Sequence, residues 1–259
     1  MKLPIKTRLV MVCFLASGLF FSLSHLSNAQ ESQDKSEVIS EQPATQKPES
    51  DNGKSEKSAP HQGKYEKVVP KQLTSTPNKV ELVELFWYTC PHCSYFEKNY
   101  FRKWRQEDKP AYVEVIHMPA VFGNSDRRLP LAKAFYAAKA LGVFEKIHQP
   151  LFDAIHVQKR NMNDEKVLKE FFAKYGVSNE DFDKAYHSFW VDAQVRRAAD
   201  MTKRYGITGV PVMILNGKYR LNSEKAEGYQ NLLTILNDLI EVERQEMGLG
   251  NILYTSIGC

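Results

Sequence analysis

Phe86-Trp87-Tyr88-Thr89-Cys90-Pro91-His92-Cys93 joins the end of an apolar run to the start of a helical pattern. The run before it, Val80-Glu81-Leu82-Val83-Glu84-Leu85-Phe86, has the length and apolar content of a buried strand, which is expected to reach Tyr88. A helix is expected from Cys90 to about Gln106. Pro91 suits the first turn of that helix, where its missing N–H costs nothing, so Cys90 falls near the N-cap. There its sulfur meets unpaired N–H groups and the positive end of the helix dipole, which lowers a thiol pKa and favours thiolate. Cys93, three residues on, returns to the same helical face within reach of a disulfide. Strand, thiol pair and helix start together describe a redox site.

The 259 residues allow one or two domains with a substantial core. The formal charge of +4 misleads, because Lys2, Lys6 and Arg8 are three of the 35 basic residues and residues 1–29 hold no acid. Taking those three from 35 leaves 32 basic against 31 acidic side chains, so charge gives no reason to expect nucleic acid or anionic lipid as a partner. Residues 1–29 read as a cleaved export signal: a basic start, an apolar run from Leu9 to about Leu26, then Ser27-Asn28-Ala29 with small residues where a signal peptidase cuts. The same apolar run is just long enough to serve as an uncleaved anchor. Val12, preceding Cys13, is not the small residue of a lipoprotein site. Removing the signal leaves Cys90, Cys93 and Cys259, too few for a disulfide-stapled scaffold, so chemistry explains the close pair better than architecture does. Cys259, ending a tail of small and apolar residues (246–259), reads as a bystander thiol, with an intermolecular disulfide as the minor alternative.

Residues 30–64 are rich in Gln, Glu, Ser, Lys, Pro and Asp, with only Val38 and Ile39 as bulky aliphatics, and are expected to be disordered. From Tyr65 the composition becomes globular. After the first strand and helix, Tyr112-Val113-Glu114-Val115-Ile116-His117 alternates like a second strand, and a parallel β-α-β unit follows from the order. A helical block comes next. One stripe runs Leu131 to Leu141 and is closed by Gly142; a second holds Ile147, Leu151, Phe152 and Ile155, interrupted by Pro150. Asp164 opens a third helix, Ser178 with Asp181 a fourth carrying Phe182, Tyr186 and Phe189, and a fifth spans Asp192 to Tyr205. Val212 to Leu215, then Asn216-Gly217, then Lys218 to Leu221 is a hairpin with a type I′ turn, and Leu232 to Ile240 marks a last amphipathic helix. The expected fold class is α/β: one small sheet with an all-helical insertion.

Cys90-Pro91-His92-Cys93, Thr208-Gly209-Val210-Pro211 and Asn216-Gly217-Lys218-Tyr219 together resemble the DsbA family of bacterial periplasmic thiol oxidases, over about residues 65–245. The resemblance implies a thioredoxin fold with its first part at 65–123, a helical insertion at 124–190 and its second part at 191–245. It implies that Pro211 follows a cis peptide bond facing the cysteines and that Val210 lends its backbone to a bound substrate peptide. Without the family, a trans proline opening an edge strand would be the default. Glu84 either points to a solvated face, as Glu81 would, or, as the family supports, is a buried carboxylate exchanging a proton with Cys93. His92 would add positive potential beside the Cys90 thiolate. His117, His148 and His156 read as satisfied structural histidines.

The function so implied is oxidation of cysteines in exported proteins by the Cys90–Cys93 disulfide, in the periplasm, with reoxidation by a quinone-linked membrane partner of the DsbB type and without metal or organic cofactor. A disulfide isomerase or reductase working from the reduced state is the nearest rival, although such isomerases usually dimerise through a folded N-terminal domain that residues 30–64 look unable to form. A structural zinc site would need a second ligand pair that the sequence does not space correctly. A holdase chaperone with incidental redox activity is the remaining alternative.

Overall fold

The computed structural model describes residues 60–122 and 127–249. The expected export signal, Cys13, Cys259, most of the polar tract and all but the start of the C-terminal tail lie outside the described residues. Five strands form one sheet in the order β1-β5-β4-β2-β3, where β1 is Glu66–Lys67, β2 Val80–Phe86, β3 Val113–Pro119, β4 Val212–Leu215 and β5 Tyr219–Leu221. β2 is parallel to β3 and antiparallel to β4, so it joins the β-α-β unit to the later hairpin. The hairpin turn has Asn216 at φ 48° and Gly217 at φ 64°, the two left-handed positions a type I′ turn needs.

β2 is buried at all seven positions. Leu82 packs into one apolar cluster and Val83 and Leu85 into the other, as the strand's twofold alternation requires. The first cluster lies with helix α7 (Tyr229–Glu246). The second lies with α2 (Leu129–Ala140), α3 (Phe144–His156), α4 (Glu165–Ala173), α5 (Asn179–Tyr186) and α6 (Phe189–Arg204), all between β3 and β4 in the chain. α1 (Pro91–Phe96) follows β2 and continues through π-helical turns at Glu97–Phe101 and Trp104–Asp108.

The structure corrects five expectations. Glu81 is not on a solvated face: it is 3% exposed, and its Oε2 accepts from Ser75 N, Ser75 Oγ and Thr76 Oγ1 at 2.7, 2.8 and 3.2 Å. Burial of a charge is tolerated where donors replace its water. α3 runs through Pro150 unbroken, because Ile147, Leu151, Phe152 and Ala154 are all buried on its inner face and outweigh the roughly 3 kcal/mol that an interior proline costs. α6 begins at Phe189 rather than Asp192, since Ser188 accepts from Val191 N and caps it; Phe189 is therefore 80% exposed, outside α5. β1, absent from the sequence pattern, is a two-residue edge strand pairing with β5, too short to show any period. Residues 60–64, assigned to the disordered tract, instead pack at its structured end, with His61 Nε2 2.7 Å from Asp238 and Lys64 paired with Glu227.

Candidate active site

Cys90 is the N-cap of α1, at φ −85° and ψ 117°, with Pro91 at the first helical position. Both thiols are free, with Cys90 9% exposed and Cys93 fully buried. The Cys90 thiol is pulled down to about 6, first by the Cys93 side chain donating to it, then against burial by the backbone N–H groups of Cys93 and His92, and last by the charge of His92. Cys93 is driven well above the ordinary thiol value by burial and then by its neighbour Cys90. The outer sulfur is thus the anion and the inner one keeps its proton. His92 itself is exposed, and its charge is the smallest of the causes acting on Cys90.

The facing wall is the segment before β4. The Val210–Pro211 bond is cis, and the Val210 carbonyl lies 3.5 Å from Cys90 Sγ. A second cis bond joins Val69 to Pro70. Two clefts open beside the thiol pair. One, of about 740 Å³, includes His92, Val210, Pro211, Arg220, Lys225 and Tyr229 in its lining; the other, of about 560 Å³, is bordered by Trp87, Cys90, Arg127, Arg128 and Asn163. Arg128 stacks on the Trp87 ring at 4.1 Å.

Behind the pair sits a buried polar cluster. The parallel register sets Glu84 beside His117, and Glu84 Oε2 lies 2.5 Å from His117 Nδ1. Glu84 is 1% exposed, and burial pushes its carboxyl up to about 8, with Arg105 opposing. Burial holds His117 and His148 well below the ordinary imidazole value. His148 Nδ1 meets the Tyr88 hydroxyl at 2.8 Å, while its Nε2 is buried without a hydrogen-bond partner. Glu97, from the π-helical turn, pairs with Arg105 at 2.5 Å and is raised to about 7 by burial and by Glu84. His156 Nε2 meets the Tyr88 carbonyl at 2.8 Å, so of the three histidines read as satisfied, His148 is not, and His117 belongs to the site. No local signal marks His117: a second strand read from Tyr112 would set Ile116 beside Glu84, and only the observed register, Val80 opposite Val113, brings His117 there.

Glu84, His117 and His148 offer donor atoms within 4.8 Å of one another, and Glu84 is hydrogen-bonded to His117 and His148 to Tyr88. Glu165, Asp183 and His187 form a second such group, but His187 is paired with Glu165 and Lys169 with Asp183. Among the described residues neither group includes Cys90 or Cys93.

Residues 115–239 match the family described as a DSBA-like thioredoxin domain, a span that starts after the cysteine pair. The thiol:disulfide interchange protein DsbA of Azotobacter vinelandii is 40% identical over 171 residues, covering 65% of this chain and 77% of that protein. This chain belongs to the DsbA family. The DsbA of Pseudomonas aeruginosa PAO1 is 37% identical over 170 residues, covering 66% of this chain and 79% of that one. The crystal structure of a Pseudomonas aeruginosa DsbA superposes with a TM-score of 0.66 at 34% identity, over 72% of this chain and 95% of that chain. As in its DsbA relatives, the fold is a thioredoxin fold with inserted helices, and the chain is a thiol:disulfide oxidoreductase.

Proposed function

We propose that the Cys90–Cys93 disulfide oxidises cysteine pairs in exported proteins. A substrate thiolate attacks Cys90 Sγ; the Cys90–Cys93 bond breaks and Cys93 leaves with the electron pair. Glu84, protonated up to about pH 8, supplies the proton that the buried Cys93 thiolate needs. The second substrate thiolate then attacks the substrate sulfur of the mixed disulfide, and Cys90 departs as thiolate. Two electrons pass from substrate to protein, which ends as the dithiol.

The observation that carries this reading is the split between the two thiols. A Cys90 pKa near 6 favours the reduced pair at neutral pH by about 1.4 kcal/mol per pH unit, or about 30 mV for a two-electron couple. As in DsbA enzymes generally, stabilising the reduced form makes the disulfide a strong oxidant. Val210 and Pro211 hold the substrate backbone, and His92 adds its charge at the helix mouth. The export signal read in residues 1–29 supports a periplasmic site of action, where a quinone-linked membrane oxidase of the DsbB type would restore the disulfide. The chemistry requires no metal.

Equilibration with glutathione tests the direction of electron flow. The expected result is a reduction potential well above that of glutathione; a potential far below it would replace this reading with a reductase. Changing Cys93 to Ala is expected to trap exported proteins as mixed disulfides on Cys90.

A further inference from the structure

The buried acid does not stand alone. Its carboxyl oxygen Oε2 is 2.5 Å from His117 Nδ1, and the two side chains are 2% and 3% exposed. A carboxylate left in such a place after giving its proton away has no water to receive its charge. Something fixed must stabilise it, and His117 is the group in hydrogen-bond contact.

We propose that His117 is the positioning residue for proton exchange at Cys93: its Nδ1–H donates to Glu84 Oε2 in both protonation states, leaving the other carboxyl oxygen to exchange the proton with sulfur. This rests on the Glu84 reading above. When Cys93 leaves as thiolate, the proton moves from Glu84 to the sulfur, and the neutral imidazole's hydrogen bond becomes a charge-assisted one to the new carboxylate. No charge is created on His117, which burial keeps neutral. When Cys93 attacks, in the reverse sense, the proton returns to the carboxyl.

The surroundings support a fixed imidazole. The His117 ring packs against Phe144 and Phe101 with centroids 5.1 and 5.8 Å away, and against His148 at 5.2 Å. His148 is held by Tyr88 and is itself neutral, so it adds no cation beside His117. The charged groups acting on the pair are Arg105 and Glu97 from α1 and its continuation and Lys139 from α2, with Glu145 of α3 acting on Tyr88 and Lys139. Arg105 is instead hydrogen-bonded to Glu97, so among the described residues the carboxylate's local partner is the imidazole.

The test follows reduction of the oxidised full chain by glutathione as a function of pH, with each rate divided by the glutathione thiolate concentration. The unsubstituted protein should slow as Glu84 loses its proton, near pH 8. With His117→Leu the carboxylate loses its donor, so that fall should move up by about one pH unit or more, and the rate below it should drop about tenfold. His117→Asn, which puts an amide nitrogen near the place of Nδ1, should restore both. In a Glu84→Gln background the fall should vanish and His117→Leu should add nothing. The inference is overturned if His117→Leu leaves the fall in place, if His117→Asn behaves as His117→Leu does, or if the loss persists undiminished in the Glu84→Gln background. If Glu84→Gln alone keeps the ordinary fall, the acid is misassigned and the role of His117 goes with it.

Discussion

At the scale of the residue, the thiolate at Cys90 owes more to its partner and to backbone than to the histidine between the cysteines. The Cys93 thiol is the first cause, the N–H groups of Cys93 and His92 follow, and the His92 charge comes last. Cys93→Ala should therefore raise the Cys90 pKa more than His92→Ala does, as read from thiolate absorbance during a pH titration. The reverse order would show that imidazolium charge governs the site. The pair, its place at a helix start and the acid six residues ahead were all legible in the sequence, because each is a local pattern. The partner of that acid was not, since it lies on another strand and depends on register. His148 was misread for a related reason: whether a buried nitrogen finds a partner is decided by packing that no single segment encodes.

At the scale of the element, the hairpin between β4 and β5 shows why its turn must be Asn-Gly. Gly217 sits at φ +64°, and a Cβ there would lie 2.2 Å from the Gln72 carbonyl oxygen, because the segment after β1 bonds across the turn through Gln72 N to Gly217 O at 3.0 Å. Gly142, which ends α2, has φ +68° but nothing within 4 Å of the same position. Gly142→Ala should then cost only the left-handed backbone strain, about 1 kcal/mol. Gly217→Ala should cost at least about 2 kcal/mol, because backbone must also move. Urea unfolding of the two variants checks the difference; equal losses would mean that the Gln72 contact yields freely. The turn itself was legible from two residues, and the helix stop at Gly142 likewise. The edge strand β1 that pairs with β5 was not, since two residues carry no alternation to read.

At the scale of the whole molecule, the ionisable groups of the site tie stability to redox state. Glu84 and Glu97 are raised from 4.5 to about 8 and about 7, so the folded chain holds protons the unfolded chain has lost, and stability falls as pH rises through that range. His117 and His148, lowered from 6.5, act oppositely below that value, where the unfolded chain binds more protons and stability is lost as pH falls. These four groups act in both redox states. Cys90 acts only in the reduced one: its folded pKa is about 6 against an ordinary 9.0, so between those values the unfolded chain carries the extra proton and the reduced form gains stability as pH rises. Cys93, raised in the folded state, opposes this only above the ordinary thiol value. Denaturant unfolding of the oxidised and reduced proteins at intervals from pH 6 to 9 should therefore show the reduced form gaining on the oxidised by about 1.4 kcal/mol per unit. A gap that stays constant over that range would mean that sulfur 90 is an ordinary thiol in the folded chain, and that the energy driving disulfide donation comes from elsewhere in the fold.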